Sequence, residues 1–311
     1  MKNFLKKIFK SHLYLNVFFY IFNKILSKIR LSFGIIESSS GTTHAALPLK
    51  ESLAYIEGVF EDYCRVSGRK TFQGKLAELG PGDNDGVALM FLAHGATQAH
   101  LADRFYSKRD RLNHQKIYEA LGEKYPKTLT GVKNVRRFYG AEAAGETFFQ
   151  QNKGYDYIVS RSVLEHVDNP EIVLKNMIEA LNPGGLLIHK VDLRDHGMYT
   201  PFSDPLKFLE VPTWLYGLMT QGTGYPNRFL FHRYKDILIK LNPKTQFYVA
   251  GLYGVSDLVQ AYPLDKIPLN LKKKAVAYVN KYRHHFAHEF SDISAEYLMV
   301  SSFFFVCEKA A

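Results

Sequence analysis

The stretch Glu78-Leu79-Gly80-Pro81-Gly82-Asp83-Asn84-Asp85-Gly86 decides the fold, because it joins a short apolar strand to a helix. Glycines at such a junction let the backbone turn tightly and approach a ligand closely. A nicotinamide dinucleotide fingerprint would require its third glycine at position 85, which is Asp85. The acidic side chains of the loop would also repel a pyrophosphate. The loop therefore favours a ligand with a cationic head.

Helices and short apolar strands alternate on both sides of this loop. Strands are predicted at 75–79, 98–103, 135–139, 155–160 and 185–191, and helices at 50–66, 85–95, 108–124, 142–151 and 170–181. Such alternation predicts an α/β fold with a doubly wound, mostly parallel sheet. Two further strands, at 247–251 and 297–306, bring the predicted total to seven, and residues 197–241 form a helical insertion before the sixth strand.

Polar side chains follow the later strands, at the edge where the carboxyl ends of parallel strands meet. Asp103 ends the second strand, and its two carboxylate oxygens can accept hydrogen bonds from both hydroxyls of a ribose. Glu142 follows the third strand, where a polar side chain can contact an adenine edge. S-adenosylmethionine has an adenine, a ribose and a cationic head with ammonium and sulfonium charges, so it fits these positions.

The order of these motifs, continued by Leu164-Glu165-His166 and Asn182-Pro183-Gly184-Gly185, resembles the class I S-adenosylmethionine-dependent methyltransferases over about residues 70–307. The resemblance implies a Rossmann-like sheet whose last strand runs antiparallel beside the fifth and sixth strands. It also implies methyltransferase activity with S-adenosylmethionine as the cofactor. The implied cofactor contacts are Glu78, Gly80 and Gly82 at the methionine part, Asp103 at the ribose, Glu142 at the adenine, and Ser162 at the exit of the fourth strand.

The exit of the fifth strand carries the candidate catalytic residues. Methyl transfer to a hydroxyl needs a base that takes the proton of the acceptor. We expect His196 to be that base, oriented by Asp192 or Asp195, with His166 at the exit of the fourth strand as the rival. We expect no bound metal, although a second alternative is that Asp192, Asp195 and His196 hold a divalent cation, since carboxylates and imidazole suit such ions. In a third alternative the two aspartates only cap turns or pair with Arg194.

The string His189-Lys190-Val191-Asp192-Leu193-Arg194-Asp195-His196, with Pro226-Asn227-Arg228 further on, resembles a bacterial subgroup encoded among surface-polysaccharide genes. That resemblance implies methylation of a sugar hydroxyl in an O-antigen, a capsule or a glycolipid precursor. A methyltransferase of a small metabolite, quinone or lipid is the second hypothesis. A non-catalytic protein with a cofactor-binding fold, acting as a scaffold at a membrane, is the third.

The positive charge of the chain is concentrated near its N-terminus. The 311 residues carry a net charge of +10, and residues 1–36 contain seven Lys and Arg and no Asp or Glu. The remainder has 33 basic and 30 acidic side chains and no recognised nucleic-acid motif, so we expect no nucleic-acid partner. Large apolar residues of the N-terminal segment recur every three or four positions with one gap, as one face of a helix requires: Phe4, Ile8, Leu15, Phe18, Phe22, Ile25 and Ile29.

Three interpretations of residues 1–36 stay open. A basic amphipathic helix on a membrane surface would give peripheral contact, since each cation near an anionic leaflet contributes about 1 kcal/mol. The helix could instead pack on the body of the protein or on a partner subunit. A signal peptide or spanning segment would need a cleavage site or a longer apolar run. The predicted organisation is thus a helical segment 1–36, a linker 37–48 and a methyltransferase domain 49–311, with 197–241 covering the substrate.

The two cysteines, Cys64 and Cys307, lie far apart and match no metal-ligand spacing. They indicate buried thiols in a reducing compartment. We expect a cytoplasmic protein, at most peripheral on the inner face of the cytoplasmic membrane, that acts on a small-molecule or glycan acceptor. The sequence leaves its oligomeric state open.

Overall fold

An eight-stranded sheet forms the centre of the protein, in a computed structural model that describes residues 12–35, 37–38, 42–200 and 203–310. Its strands are β1 Gly74–Leu79, β2 Ala96–Asp103, β3 Val135–Tyr139, β4 Tyr155–Arg161, β5 Leu181–Asp192, β6 Gln246–Leu252, β7 Ser256–Pro263 and β8 Val300–Glu308. They lie in the order β3-β2-β1-β4-β5-β8-β6-β7. A separate two-residue ladder pairs Glu37–Ser38 with Tyr106–Ser107.

The sheet is mostly parallel, as the sequence predicts. Strands β1 to β5 pair in parallel, and β8 runs antiparallel between β5 and β6. The prediction of seven strands is wrong by one, because β7 forms an antiparallel hairpin with β6 at the edge of the sheet. All of β7 is exposed or half-buried, and its apolar residues are interrupted by polar ones, so no apolar run marks it as a strand.

Helices cover both faces of the sheet. They are α1 Leu13–Ser32, α2 Thr43–Ala46, α3 Leu49–Ser67, α4 Gly86–Ala93, α5 Arg111–Lys124, α6 Lys127–Gly131, α7 Gly145–Gln151, α8 Pro170–Ala180, α9 Thr213–Thr220, α10 Phe231–Leu241, α11 Leu269–Tyr282, α12 His288–Ser291 and α13 Ala295–Leu298. Two separate apolar clusters fill the layers: Phe60 and Phe91 lie in the one under α3 and α4, and Leu174 and Leu238 in the one under α8 and α10. The result is a three-layer α/β sandwich.

The N-terminal helix α1 packs on the segment between β5 and β6. Val17 and Tyr20 are buried, and the Asn16 side chain donates a 2.7 Å hydrogen bond to the carbonyl of Met198. Residues 1–11 of the predicted amphipathic segment, including Phe4 and Ile8, lie outside the described residues. No helix among the described residues combines the length and the apolarity that crossing a membrane requires.

Candidate active site

A large cleft opens where β1, β2 and β4 end, at the point where the strand order reverses. In doubly wound sheets this reversal leaves a crevice that binds ligands. The cleft has a volume of about 1540 Å³, above the roughly 300–1,000 Å³ of ordinary ligand pockets, so it has room for two ligands side by side. Of the predicted site residues it is lined by Gly80, Gly82, Asp103, Ser162, His166 and His196.

The loop after β1 can take its shape only with glycine at two positions. Gly80 and Gly82 have φ angles of +70° and +68°, in the left-handed region that favours glycine. A Cβ atom on Gly80 would lie 2.4 Å from a methyl carbon of Val163, which belongs to the segment after β4. The backbone therefore approaches the neighbouring strand exit without an intervening side chain. Asn84, where a third glycine would be typical, accepts a 2.7 Å hydrogen bond from the Gly86 N–H at the start of α4.

Two of the three loop acids that we expected to face a cationic ligand have protein partners instead. Asp85 is buried and pairs with the guanidinium groups of Arg109, at 2.8 Å, and Arg137. Burial opposes its ionisation, but these two arginines hold the pKa of Asp85 below its usual value. Asp83 accepts a 2.9 Å hydrogen bond from the backbone N–H of Ala45, in the part of the predicted linker that forms α2. Neither carboxylate is available as a free charge for a ligand.

Glu78 is the loop acid that keeps an unsatisfied oxygen. Its side chain is buried, and Oε2 has no hydrogen-bond partner among the described residues. Burial, and secondly the charge of Asp85, raise the pKa of Glu78 to about 8. A buried carboxyl group with an unpaired oxygen is costly, and an ammonium group beside it would restore both the hydrogen bond and the charge balance.

Of the other predicted cofactor residues, Asp103 and Ser162 line the cleft and Glu142 does not. Asp103 accepts a 2.9 Å hydrogen bond from the Phe105 N–H, and burial raises its pKa to about 6. Ser162 lines the cleft with a φ of +55°, an uncommon conformation for a residue with a side chain. Glu142 is exposed, accepts a 2.9 Å hydrogen bond from Gln151, and is absent from the described cleft lining. Its contact with adenine stays a prediction.

The two candidate bases lie together, with a third residue that the sequence reasoning did not single out. The rings of His166 and His196 meet edge to face with centroids 4.6 Å apart. The carboxyl group of Glu165 lies 3.7 Å from Nε2 of His196. Burial raises the pKa of Glu165 well above its usual value, whereas burial and the neighbouring His196 lower the pKa of His166 to about 4. The Leu-Glu-His motif was the available signal for Glu165.

The two aspartates of the fifth-strand exit have structural partners. Asp192 accepts hydrogen bonds from Nε of Arg194 at 2.8 and 3.0 Å, and one of its oxygens lies 3.9 Å from Nε2 of His196. Asp195 accepts bonds from the backbone N–H groups of Tyr199, at 2.6 Å, and Thr200, at 2.8 Å. These contacts match the turn-capping alternative for Asp195, and leave only Asp192 near enough to orient His196.

The fold and the glycine loop define a Rossmann-like methyltransferase, and the comparisons with known proteins agree. A family model described as a methyltransferase domain matches residues 55–234. The chain therefore belongs to this methyltransferase family, and its cofactor is S-adenosylmethionine. No curated protein sequence matches the chain.

Solved structures of methyltransferases are similar to the chain at low identity. Phosphoethanolamine N-methyltransferase 2 of Haemonchus contortus, in complex with S-adenosylmethionine, is 15% identical, over 82% of this chain and 53% of that one, with a TM-score of 0.42. The CurJ carbon methyltransferase is 13% identical, over 77% of this chain and 49% of that one, with a TM-score of 0.36. The chain thus spans about half the length of these two proteins.

Residues of the cleft lining, together with the buried Glu78, fit this cofactor, although Glu78 itself is absent from the described lining. The unpaired Oε2 of Glu78 suits the ammonium group, and the backbone at Gly80 leaves space that a side chain would fill. Asp103, whose pKa of about 6 leaves it ionised at neutral pH, offers oxygens for ribose hydroxyls. His166 and His196 line the same cleft, with the buried Glu165 3.7 Å from His196, so an acceptor next to the cofactor would meet titratable groups.

A single methyl group on Gly80 tests the loop geometry. We expect Gly80→Ala to weaken the binding of S-adenosylhomocysteine at least tenfold. The left-handed backbone alone disfavours alanine by about 1–2 kcal/mol, and the new methyl also meets Val163. Isothermal titration calorimetry measures the affinity. The matched control is Gly58→Ala in α3, where a Cβ meets nothing within 4 Å, and equal affinities of the two variants would contradict the assignment.

The raised pKa of Asp103 predicts a pH dependence of cofactor binding. The ionised carboxylate accepts ribose hydrogen bonds and the neutral acid does so less well. The affinity for S-adenosylhomocysteine should therefore rise about tenfold from pH 5 to pH 7, as Asp103 titrates through its pKa of about 6. This window lies below the pKa of about 8 of Glu78. Calorimetry on Asp103→Asn should give a flat profile, and an unchanged slope would remove Asp103 from the ribose site.

Proposed function

We propose that the chain transfers the methyl group of S-adenosylmethionine to a hydroxyl of a sugar in a polysaccharide or glycolipid precursor. One observation carries the proposal: His166 and His196 line the same cleft as the glycine loop, where a histidine can remove a proton from an acceptor hydroxyl, and the buried Glu165 lies 3.7 Å from His196. The Asp-His exit of the fifth strand supports the sugar subgroup by resemblance.

The cofactor supplies an electrophilic methyl group on a positively charged sulfur. The residues of the chain have three tasks: to hold the cofactor, to place the acceptor oxygen in line, and to take up its proton. His196 is the better placed base, because it is partly exposed to the cleft and lies 3.9 Å from an oxygen of Asp192. His166, whose pKa is about 4, is a much weaker base at neutral pH.

The charges of the cleft favour an acceptor that carries an anionic group. Lys108 and Arg111 line the cleft, and no acidic partner is found for either in the described part of the chain. Guanidinium and ammonium groups bind phosphate oxygens well. A sugar attached to a phosphate, as in an activated or lipid-linked precursor, would satisfy them. A small metabolite, quinone or lipid as the acceptor remains the alternative, since the cleft also accepts smaller ligands.

Peripheral membrane contact through residues 1–36 is part of the same proposal. The face of α1 opposite to Val17 and Tyr20 carries exposed large apolar side chains, among them Tyr14 at 78%, Phe18 at 70% and Phe22 at 53% exposure. At 3.6 residues per turn they fall within roughly 140° of the helix circumference, with Lys28 and Arg30 at its two edges. The full apolar set is Tyr14, Leu15, Phe18, Phe19, Phe22, Ile25, Leu26 and Ile29.

An anionic membrane surface complements this face better than a second copy of the chain does. Residues 1–36 contain seven cations and no acid, so two copies joined through α1 would bring like charges together. Aromatic side chains flanked by cations are typical of helices that lie in the headgroup region. Ser27 and Arg30 of α1 also line the cleft. With α1 on a membrane, the cleft would therefore open close to the bilayer and to a lipid-linked acceptor.

Methyl transfer itself tests the proposed acceptor class. Incubation with tritiated S-adenosylmethionine should label the lipid-linked oligosaccharide fraction of the source cells, and acid-stable ether methyl groups should be found on sugar residues. His196→Ala should retain cofactor affinity and lose at least a hundredfold in turnover, since general bases contribute about 10²–10⁴ in rate. Label confined to quinones or small metabolites would favour the alternative. Absence of cofactor binding in calorimetry would support the scaffold hypothesis.

The exposed face of α1 makes a separate prediction. Vesicles with 30% phosphatidylglycerol in phosphatidylcholine should sediment the wild type more strongly than pure phosphatidylcholine does. The double variant Phe18→Ser, Phe22→Ser should bind roughly a hundredfold more weakly, at about 1.5 kcal/mol or more for each inserted phenylalanine. Val259→Ser together with Leu269→Ser, which removes exposed apolar groups elsewhere, is the matched control. Equal sedimentation of both variants would contradict the membrane contact.

A further inference from the structure

We propose that Glu165, His166 and His196 form a site for a divalent transition-metal cation in the wall of the cleft. The proposal rests on the hydroxyl acceptor put forward above and changes the task of His196. With the cation bound, His196 is a ligand, and water rather than His196 takes the acceptor proton. Glu165 and His166 follow β4, and His196 follows β5. The spacing of these residues in the sequence therefore matches no metal-binding motif.

The geometry brings one ligand atom from each of the three residues to one place. These atoms all lie within 4.8 Å of one another, so small side-chain movements would bring them to the roughly 3–4 Å separation of ligands that lie about 2.0–2.2 Å from one cation. His166 and His196 both line the cleft. The site is therefore open to an acceptor on one side and closed by the buried Glu165 on the other.

Unsatisfied buried atoms in the cluster point to a missing partner. Glu165 is 2% exposed, and its Oε2 has no hydrogen-bond partner among the described residues. Nδ1 of His166 is likewise buried without a described partner, while the ring donates its other N–H to the backbone carbonyl of Gly224. That second contact holds the tautomer whose free nitrogen can bind a metal, as carbonyl partners commonly do for histidine ligands.

The donor set selects the class of cation. Two imidazoles and one carboxylate suit zinc, cobalt, manganese or iron, whereas magnesium and calcium prefer oxygen ligands throughout. Three protein ligands leave further coordination positions for a substrate, as in catalytic rather than structural metal sites. His196 is 27% exposed on the cleft side, so these positions would face the acceptor.

This site replaces the cation alternative that the sequence suggested, which combined Asp192, Asp195 and His196. Asp195 accepts backbone hydrogen bonds from Tyr199 and Thr200, and Asp192 is bound by Arg194. Only His196 is common to both sets. Glu165 supplies the carboxylate instead, because its segment after β4 lies next to the exit of β5.

A cation at this place would orient the acceptor hydroxyl and lower its pKa. In the transfer the acceptor oxygen forms a bond to the methyl carbon, the carbon–sulfur bond breaks, and its electron pair stays on sulfur. The hydroxyl proton passes to water in the open cleft. No oxidant or reductant is needed, because the cation acts as a Lewis acid and keeps its oxidation state.

Cobalt binding tests the site without an activity assay, because Co²⁺ absorbs visible light with an intensity that reports its coordination. We expect metal-free wild-type protein to bind one Co²⁺ tightly, with the strong absorption of a site of low coordination number. Glu165→Gln keeps an oxygen that accepts the hydrogen bond from the Asp192 N–H but lacks the negative charge. It should weaken Co²⁺ binding at least tenfold, because replacing even a residue that only hydrogen-bonds to a metal ligand typically weakens metal binding by about 10–100-fold. His196→Ala, at a more exposed position, should do the same.

The exposed neighbours His284 and His285, whose rings lie 3.8 Å apart, provide the matched control. Their double alanine variant should bind Co²⁺ as the wild type does. Loss of the absorption in that variant, or its persistence in Glu165→Gln and His196→Ala, would overturn the site. Calorimetry with S-adenosylhomocysteine on the same samples reports intact folding. Cofactor binding with no tight Co²⁺ would end the cation proposal and leave the methyltransferase proposal standing.

Discussion

The close approach of Gly80 to Val163 is the constraint on which the active site depends. The loop after β1 and the segment after β4 belong to neighbouring strands at the point where the strand order reverses, and a Cβ on Gly80 would overlap the Val163 side chain. Because the loop backbone packs directly on the Val163 side chain, the cofactor loop and His166 line one cleft, and the buried Glu165 lies next to His166 in the chain. A wider spacing would separate the cofactor from the titratable groups.

Charge in the cofactor loop is organised by pairing rather than by simple accumulation. Asp85 is neutralised by Arg109 and Arg137, and Asp83 accepts backbone hydrogen bonds from the segment at α2. A buried ion pair of this kind contributes to a defined loop conformation as much as to net stability. The single carboxyl left unpaired is Glu78, and its raised pKa records the cost of burial that a cationic ligand would offset.

The N-terminal helix joins the surface of the protein to its cleft. One side of α1 is held to the rest of the molecule by Asn16, Tyr20 and Lys24, the last of which donates a 3.1 Å hydrogen bond to the carbonyl of Gly217. The other side leaves large apolar groups in water. Packing on the protein and contact with a membrane surface would use different faces of α1. The two interpretations are therefore compatible with each other.

Periodicity and local motifs were sufficient for the parallel core of the fold and for the cofactor loop. Apolar runs identified the strands from β1 to β6 and β8, because buried strands need continuous apolar sequence, and the glycine spacing predicted the loop for the same local reasons. The edge strand β7 was not predicted, since this exposed hairpin strand has no such run.

Contacts between distant segments were decided only by the tertiary structure. The pairing of Asp85 with arginines 24 and 52 residues away and the convergence of Glu165 with His196 depend on how strands are ordered. Sequence by itself determined a methyltransferase-like α/β chain with a basic, apolar N-terminal segment. Only the tertiary structure decided which polar groups pair with each other and which face the cleft, because these contacts depend on spatial proximity, which no local sequence pattern encodes.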